Sequence, residues 1–188
     1  MKKLTDSEII ESIKRGNQSD YSILVDRYKN KAFSLLKRML KNNMEAEEVL
    51  QDSFLKAFQA LSNFKGEAKF STWFYRIVYN TALTKLSTKK RKIETEMVSI
   101  DDYEYLKSGV DIYSNEKIDT AKMVNELINK LPEKKAAVVS MFYLDEMNCE
   151  EISGVMNLSV ANVKVLLYRS RNILKEIIVK NNLVEELR

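Results

Sequence analysis

The chain has 188 residues, enough for one ordinary domain or for two compact helical ones joined by a linker. Hydrophobic residues make up 45% and charged residues 31%, a globular rather than disordered composition, and one Pro and four Gly in the whole chain favour an all-α protein. With a single cysteine, Cys149, and no histidine, the chain has no internal disulfide, no ordinary zinc-ligand set and no His-based general base, so no cofactor is expected and enzymes start at a disadvantage. The start (Met1, Lys2, Lys3, Leu4, Thr5, Asp6) lacks an apolar signal core, and no apolar run approaches a bilayer's thickness. A cytoplasmic protein without membrane insertion is expected. The net charge of +4 is modest, and its placement matters more than its size.

In chain order, Thr5 and Glu8 form a capping-box pattern that opens a short helix through about Arg15, ended by Gly16 and Asn17. A longer helix is expected from about Ser19 to Lys41. Tyr21, Leu24, Val25, Tyr28, Ala32, Leu35, Leu36 and Met39 recur there at three- and four-residue steps, which marks one buried stripe. A third helix, Met44 to Leu61, presents Ala46, Val49, Leu50, Phe54, Ala57, Phe58 and Leu61. A loop from Ser62 to Lys69 contains Gly66. Ser71 or Thr72 then caps a fourth helix that carries Trp73, Phe74, Ile77, Val78 and Leu83 and ends near Lys92. These elements complete a small bundle.

From Ile93 to Lys117 the periodicity fails. Glu94, Glu96, Asp101, Asp102, Glu104, Asp111 and Glu116 outnumber Lys107 and Lys117, which reads as an acidic, weakly structured linker. A second helical unit follows, with a helix over Ile118 to Leu131 and another that starts at Pro132 and runs to about Leu144. Asn148 with Glu151 caps a short helix through Met156. Asn157 suits a left-handed turn, and Ser159 caps a final helix to about Asn181. Short helix, tight turn, longer helix is the helix-turn-helix arrangement.

Charge concentrates in two places. Between Glu67 and Glu94 there is no acid, while Lys69, Arg76, Lys85, Lys89, Lys90, Arg91 and Lys92 alternate with Phe70, Trp73, Phe74, Tyr75 and Tyr79. Cations attract phosphates, and rings stack on unpaired bases. The other reading makes Phe74, Ile77 and Val78 core and lets the basic run complement the helix dipole. The last helix sets Lys164, Arg169, Arg171, Lys175 and Lys180 against Glu176 alone, with Ser159, Asn162 and Lys164 in the first turns that would meet base edges. Its alternative is a solvated helix over Val160, Val163, Leu166, Leu167 and Ile173. At the start of the third helix, Glu45, Glu47, Glu48 and Asp52 complement the helix dipole by default, or, with Gln51 and Leu55, form a protein-docking face.

Long strings in this order resemble the extracytoplasmic-function group of the sigma-70 family of RNA polymerase sigma factors. They are Glu45 to Phe58 (EAEEVLQDSFLKAF), Phe64 to Ile77 (FKGEAKFSTWFYRI), Leu131-Pro132-Glu133-Lys134, Glu150-Glu151-Ile152, Val163-Lys164 and Tyr168-Arg169-Ser170-Arg171. The resemblance covers nearly the whole chain. It implies a region 2 bundle over 1–92 that binds core polymerase and melts the −10 element, a linker over 93–117, and a region 4 helix-turn-helix over 118–188 that reads the −35 element. It implies that Glu48, Gln51, Asp52 and Leu55 grip the clamp helices of the largest polymerase subunit, with the flap of the second-largest subunit as a further contact. Ala60, Phe64, Lys69, Trp73, Arg76, Ile77 and Asn80 fall at the family's −10 surface, where a flipped base is held and Asn80 offers a donor and an acceptor to its edge. Ser159, Asn162, Lys164, Arg169 and Arg171 fall at the −35 surface. An anti-sigma factor is a further partner that the family implies.

After Lys164, relatives commonly carry a small polar residue and then arginine, whereas this chain has Val165 and Leu166. An apolar side chain there can touch a thymine methyl but cannot donate to guanine or phosphate. The linker's 25 or so residues span roughly 25–30 Å when relaxed and about 80–90 Å when extended. Two turns of DNA measure roughly 70 Å, so joint contact with both elements needs a largely extended linker. Away from polymerase nothing in the sequence holds the domains apart, and they are free to fold on each other or on an inhibitor. The competing readings are a stand-alone helix-turn-helix regulator and a nuclease acting through carboxylates.

Overall fold

A computed structural model describes residues 4–97 and 120–181, which form eight α-helices and two short 3-10 turns, with no strand among the described residues. Helix α1 (Asp6–Lys14) opens on the expected capping box. The Thr5 hydroxyl accepts from the Glu8 N–H at 3.3 Å, while the Glu8 carboxylate accepts from the Thr5 N–H at 2.7 Å. Gly16, at φ +110°, then turns the chain where a Cβ would be strained. Helix α2 (Tyr21–Leu40) follows a 3-10 turn at Gln18–Asp20 and ends with Lys41 left-handed. Asn42 caps α3 (Asn43–Ala60), accepting from the Glu45 N–H at 3.0 Å.

The expected stripe of α2 is the spine of the first core. Leu24, Ala32, Leu35, Leu36 and Met39 are fully buried against Ala46, Val49 and Ala57 of α3. Helix α4 (Phe70–Met97) closes the bundle with Phe74, Val78 and Ala82. Phe74 stacks on Phe54 at 4.6 Å and on Phe70 at 5.9 Å, and stacked pairs of this kind add to simple area burial. The Asp6 carboxylate accepts from both Arg27 and Tyr28, which ties α1 to α2.

Helix α4 departs from expectation at both ends. It begins at Phe70, so Ser71 and Thr72 lie inside its first turn and the Thr72 hydroxyl is buried without a partner among the described residues. It also continues five residues beyond Lys92, to Met97. The apolar period fades there in the sequence, but no Gly or Pro interrupts the segment to end the helix. The rest of the expected linker, from residue 98, lies outside the described residues.

The second unit contains α5 (Thr120–Asn129), α6 (Glu133–Tyr143), α7 (Cys149–Met156) and α8 (Val160–Lys180). Pro132 stands one residue ahead of α6 in extended backbone rather than as its first residue. Proline's fixed φ suits either place. Helix α7 opens on the Asn148–Glu151 capping box, with bonds of 2.8 and 2.9 Å, and ends at left-handed Asn157 (φ 53°, ψ 48°). The Ser159 hydroxyl caps α8, accepting from the Asn162 N–H at 3.2 Å. Ala136, Ala137, Val139, Ile152, Val155, Val163 and Leu167 make its core.

The two units are folded against each other, α4 on α7 and α2 on α6. Gly154 makes the first contact close, since a Cβ there would sit 3.5 Å from the Thr72 methyl carbon. Polar bonds fasten the second. Arg38 donates to the Asn125 side chain at 2.5 Å, and the Lys41 ammonium donates to the carbonyls of Asn129 and Leu131.

Candidate nucleic-acid and polymerase interfaces

The steps of three and four between Trp73, Ile77 and Asn80 place them on one face of α4, with Arg76 beside them. Asn80 and Arg76 are exposed, while Trp73 and Ile77 are half-buried. The Asn80 side-chain amide makes no hydrogen bond among the described residues, so its donor and acceptor both face solvent. Half-buried Phe64 packs on Trp73 at 5.0 Å and edge-on to Phe70 at 6.0 Å. Its carbonyl accepts from the Lys14 ammonium at 2.7 Å, and Gly66 (φ +76°) completes the turn, so the loop that follows Ala60 is held against α1 and α4.

The aromatic series of α4 is less available than its sequence suggests. Phe70, Tyr75 and Tyr79 are as buried as Phe74, which leaves Trp73 as the one ring of the series that reaches the surface. The reason is that α4 is covered twice, by α2 and α3 on one side and by α7 on another. Several of its cations are also engaged. Lys85 pairs with Glu48 at 2.7 Å and Lys89 with Glu45 at 3.2 Å, a ladder between neighbouring helices.

On α3 Glu47, Glu48, Gln51, Asp52 and Leu55 are among the exposed positions, and Leu55 is 56% exposed. Leu55 also lines an open apolar groove with Tyr21, Val25, Phe54 and Phe58. An acidic and amide-bearing ridge thus borders unfilled apolar surface, a combination that suits a helical protein partner.

In the helix-turn-helix, Asn162, Lys164 and Arg169 are exposed on α8. The Ser159 hydroxyl is committed to its cap. Arg171 is held back on α6, where its Nε donates to the Tyr143 hydroxyl at 2.7 Å and its guanidinium lies 5.7 Å from the Tyr143 ring centre and 6.0 Å from that of Phe142. The two departures from the family pattern separate by position. Leu166 is half-buried and packs on the core, whereas Val165 is exposed.

Two further side-chain contacts, with no local signature in the sequence, cross the boundary between the units. Lys69 and Glu151 meet at 2.7 Å. Burial pushes the Glu151 carboxyl up, but Lys69 and the Asn148 N–H outweigh it and the net shift is downward. Asp145, in the segment between α6 and α7, lies beside Tyr75 of α4 and within the fields of Lys31 and Arg38 of α2. Burial dominates there and its carboxyl is pushed up to about 6, against the opposing pull of those three groups. The buried Tyr75 hydroxyl approaches this carboxylate but falls outside full hydrogen-bond geometry with it.

A helical bundle with an exposed amide-and-ring face, followed by a helix-turn-helix with a cationic second helix, defines a two-unit protein that reads DNA. Residues 24–92 match Sigma-70 region 2, and residues 121–174 match Sigma-70, region 4. The ECF RNA polymerase sigma-E factor of Haemophilus influenzae is 31% identical over 180 residues, covering 92% of this chain and 95% of that protein. The ECF RNA polymerase sigma factor SigW of Bacillus subtilis is 30% identical over 181 residues, covering 89% and 93%. The fold is shared with CnrH, solved in complex with the cytosolic domain of CnrY (TM-score 0.67, 21% identity, 93% and 97% of the chains). It is also shared with the sigma factor RpoE solved with the anti-sigma factor NepR from Bartonella quintana (TM-score 0.67, 14% identity, 85% and 96%). The chain belongs to the extracytoplasmic-function group of RNA polymerase sigma factors, proteins that direct core polymerase to promoters and help open the DNA. Among the described residues no helix is long and apolar enough to cross a membrane.

Proposed function

We propose that the chain divides this work between its two units, with no enzymatic activity of its own, in the cytoplasm. The −10 face is built from Ala60, Phe64, Lys69, Trp73, Arg76, Ile77 and Asn80. Removing a base from the stack costs a few kcal/mol, and a ring-lined recess with an amide at its edge offsets that cost. The observation that carries this reading is the exposed Asn80 amide, without a hydrogen-bond partner among the described residues and on the same face as Trp73 and Ile77. The −35 surface is α8, with Lys164 and Arg169 on phosphates or base edges and Asn162 near its start. Arg171 serves that surface only after leaving Tyr143. Glu48, Gln51, Asp52 and Leu55, with the neighbouring groove, dock on the clamp helices of the largest polymerase subunit, and the second unit engages the flap. The closed arrangement is the one an anti-sigma factor would hold, by analogy with the relatives solved with such partners.

The test is Asn80→Ala in holoenzyme. Promoter opening, read by thymine reactivity in the melted region, is expected to fall on the order of tenfold while association with core polymerase is unchanged. Equal loss of both would remove Asn80 from the −10 role. The stand-alone regulator reading requires that the purified chain fail to co-migrate with core polymerase on gel filtration.

A further inference from the structure

The exposed side of α8 has an unusual order of chemistry. At about 100° per residue, Ala161, Val165, Tyr168 and Asn172 fall along one line, opposite buried Val163, Leu167 and Ser170. Val165 is 46% exposed and Tyr168 63% exposed. The same rotation puts Lys164 on one flank of that line and Arg169 on the other. The centre of the outward face is apolar through Val165 and the Tyr168 ring before it ends on Asn172, and a cation stands on each edge.

That order matches the cross-section of a major groove. The groove is about as wide as one helix, so the central line of an inserted helix faces base edges while its flanks face the two phosphate backbones. Cations on both flanks are complementary to those backbones, and they argue against a protein occupant that would lay apolar surface over the whole face. Among base edges in this groove, the C5-methyl of thymine is the apolar group. Leu166 is turned into the core and Asn162 lies toward the Arg169 flank, so Val165 is the branched aliphatic side chain left on the centre line of the first two turns.

We propose that Val165 is a specificity-determining residue that packs on a thymine methyl in the −35 duplex, which makes this sigma factor select a thymine at one position of that element. The inference rests on the assignment of α8 as the −35 reader. Val165 makes no hydrogen bond to the base, so the discrimination is that of one buried methyl group, on the order of three- to fivefold. Lys164 and Arg169 supply attraction that depends on salt and little on sequence.

The experiment uses holoenzyme and the upstream sequence it prefers from a random-template library. Each thymine of that element is replaced singly by deoxyuracil, which deletes the methyl and leaves every hydrogen-bonding group. One position is expected to lose roughly three- to fivefold in affinity. Val165→Ala holoenzyme should bind the thymine and uracil templates alike at that position, while Lys164→Ala should weaken both and keep their ratio. Indifference of the unmodified protein to uracil at every position, or discrimination that persists in Val165→Ala, overturns the proposal while leaving the −35 assignment standing. A library without any upstream preference overturns both. Impaired holoenzyme assembly in Val165→Ala, with unchanged affinity of the assembled enzyme for DNA, makes the ridge a protein contact and also overturns the proposal.

Discussion

Lys69, at the foot of the helix that carries Asn80, is bonded at 2.7 Å to Glu151, in the first turn of the helix-turn-helix. One ammonium group therefore serves the domain contact in the free chain and stands at the −10 face proposed for the promoter complex. It cannot hold Glu151 and a phosphate in the same geometry, so binding of melted DNA and closure of the two units compete through this side chain. The Lys69 side chain is 74% exposed and the Glu151 side chain 17%, which makes the pair a weak fastener.

Glu151→Gln separates the pair from the cap. Glutamine still accepts from the Asn148 N–H, because capping boxes take Glu or Gln at that place. The helix-turn-helix should keep its melting temperature, while the free chain shifts toward open forms by no more than about 1 kcal/mol. Small-angle scattering reads the shift as a larger radius of gyration. Raising the salt should bring the unaltered protein toward the variant, since a largely exposed pair is screened. A melting temperature that falls with the substitution would mean that the cap, and not the pair, had been lost.

Asp145 gives the closed form a pH dependence of definite sign. Its carboxyl, pushed up to about 6 by burial in the closed chain, returns to an ordinary value near 3.8 once it faces solvent. The closed form thus binds more protons than the open form between those values, so closure tightens as the pH falls through 6 and weakens as it rises. From pH 7 to pH 5 the closure constant should rise about tenfold. Asp145→Asn should hold closure at its acidic strength across the range. A radius of gyration that stays flat between pH 5 and pH 7 in the unaltered chain would contradict this.

Phe74 sits at the centre of the region 2 bundle, fully buried and stacked on Phe54 and Phe70. Phe74→Ala leaves a ring-sized void between three helices and should cost about 3–5 kcal/mol. Thermal unfolding followed by near-ultraviolet circular dichroism is expected to lose its cooperative transition or move it far down. Exposed Arg76→Ala, two positions along, should fall within about 0.5 kcal/mol of the unaltered chain.

Features decided within a few residues were legible in the sequence. The capping boxes at Thr5–Glu8 and Asn148–Glu151, the left-handed turn at Asn157 and the cap at Ser159 depend on neighbours in the chain. The stripe of α2 was legible because its buried residues, Leu24, Ala32, Leu35, Leu36 and Met39, keep to the three- and four-residue steps of one helix face. Helix α4 was not, because the second unit covers a further face and turns Tyr75 and Tyr79, which alternate with cations in the sequence, into core. The engagement of Lys85 with Glu48, of Lys89 with Glu45 and of Arg171 with Tyr143 depends on which helices lie side by side. Charge alone marks such residues as candidates for DNA, and only the packing shows which are already held.

The polymerase-docking face can be tested without disturbing the fold, because Asp52 and Leu55 are both exposed on α3. Asp52→Arg reverses a charge in an acidic ridge, and reversal of a charge that faces its partner weakens complementary association more than its removal does. Affinity for core polymerase, measured by fluorescence titration, should fall on the order of tenfold, or about 1.4 kcal/mol. Leu55→Ala should lower it through lost apolar burial, and that loss should persist at high salt where the effect of Asp52→Arg shrinks. Unchanged affinity in both variants would move the docking face off α3 and leave the groove beside Tyr21 and Phe58 without an assigned partner.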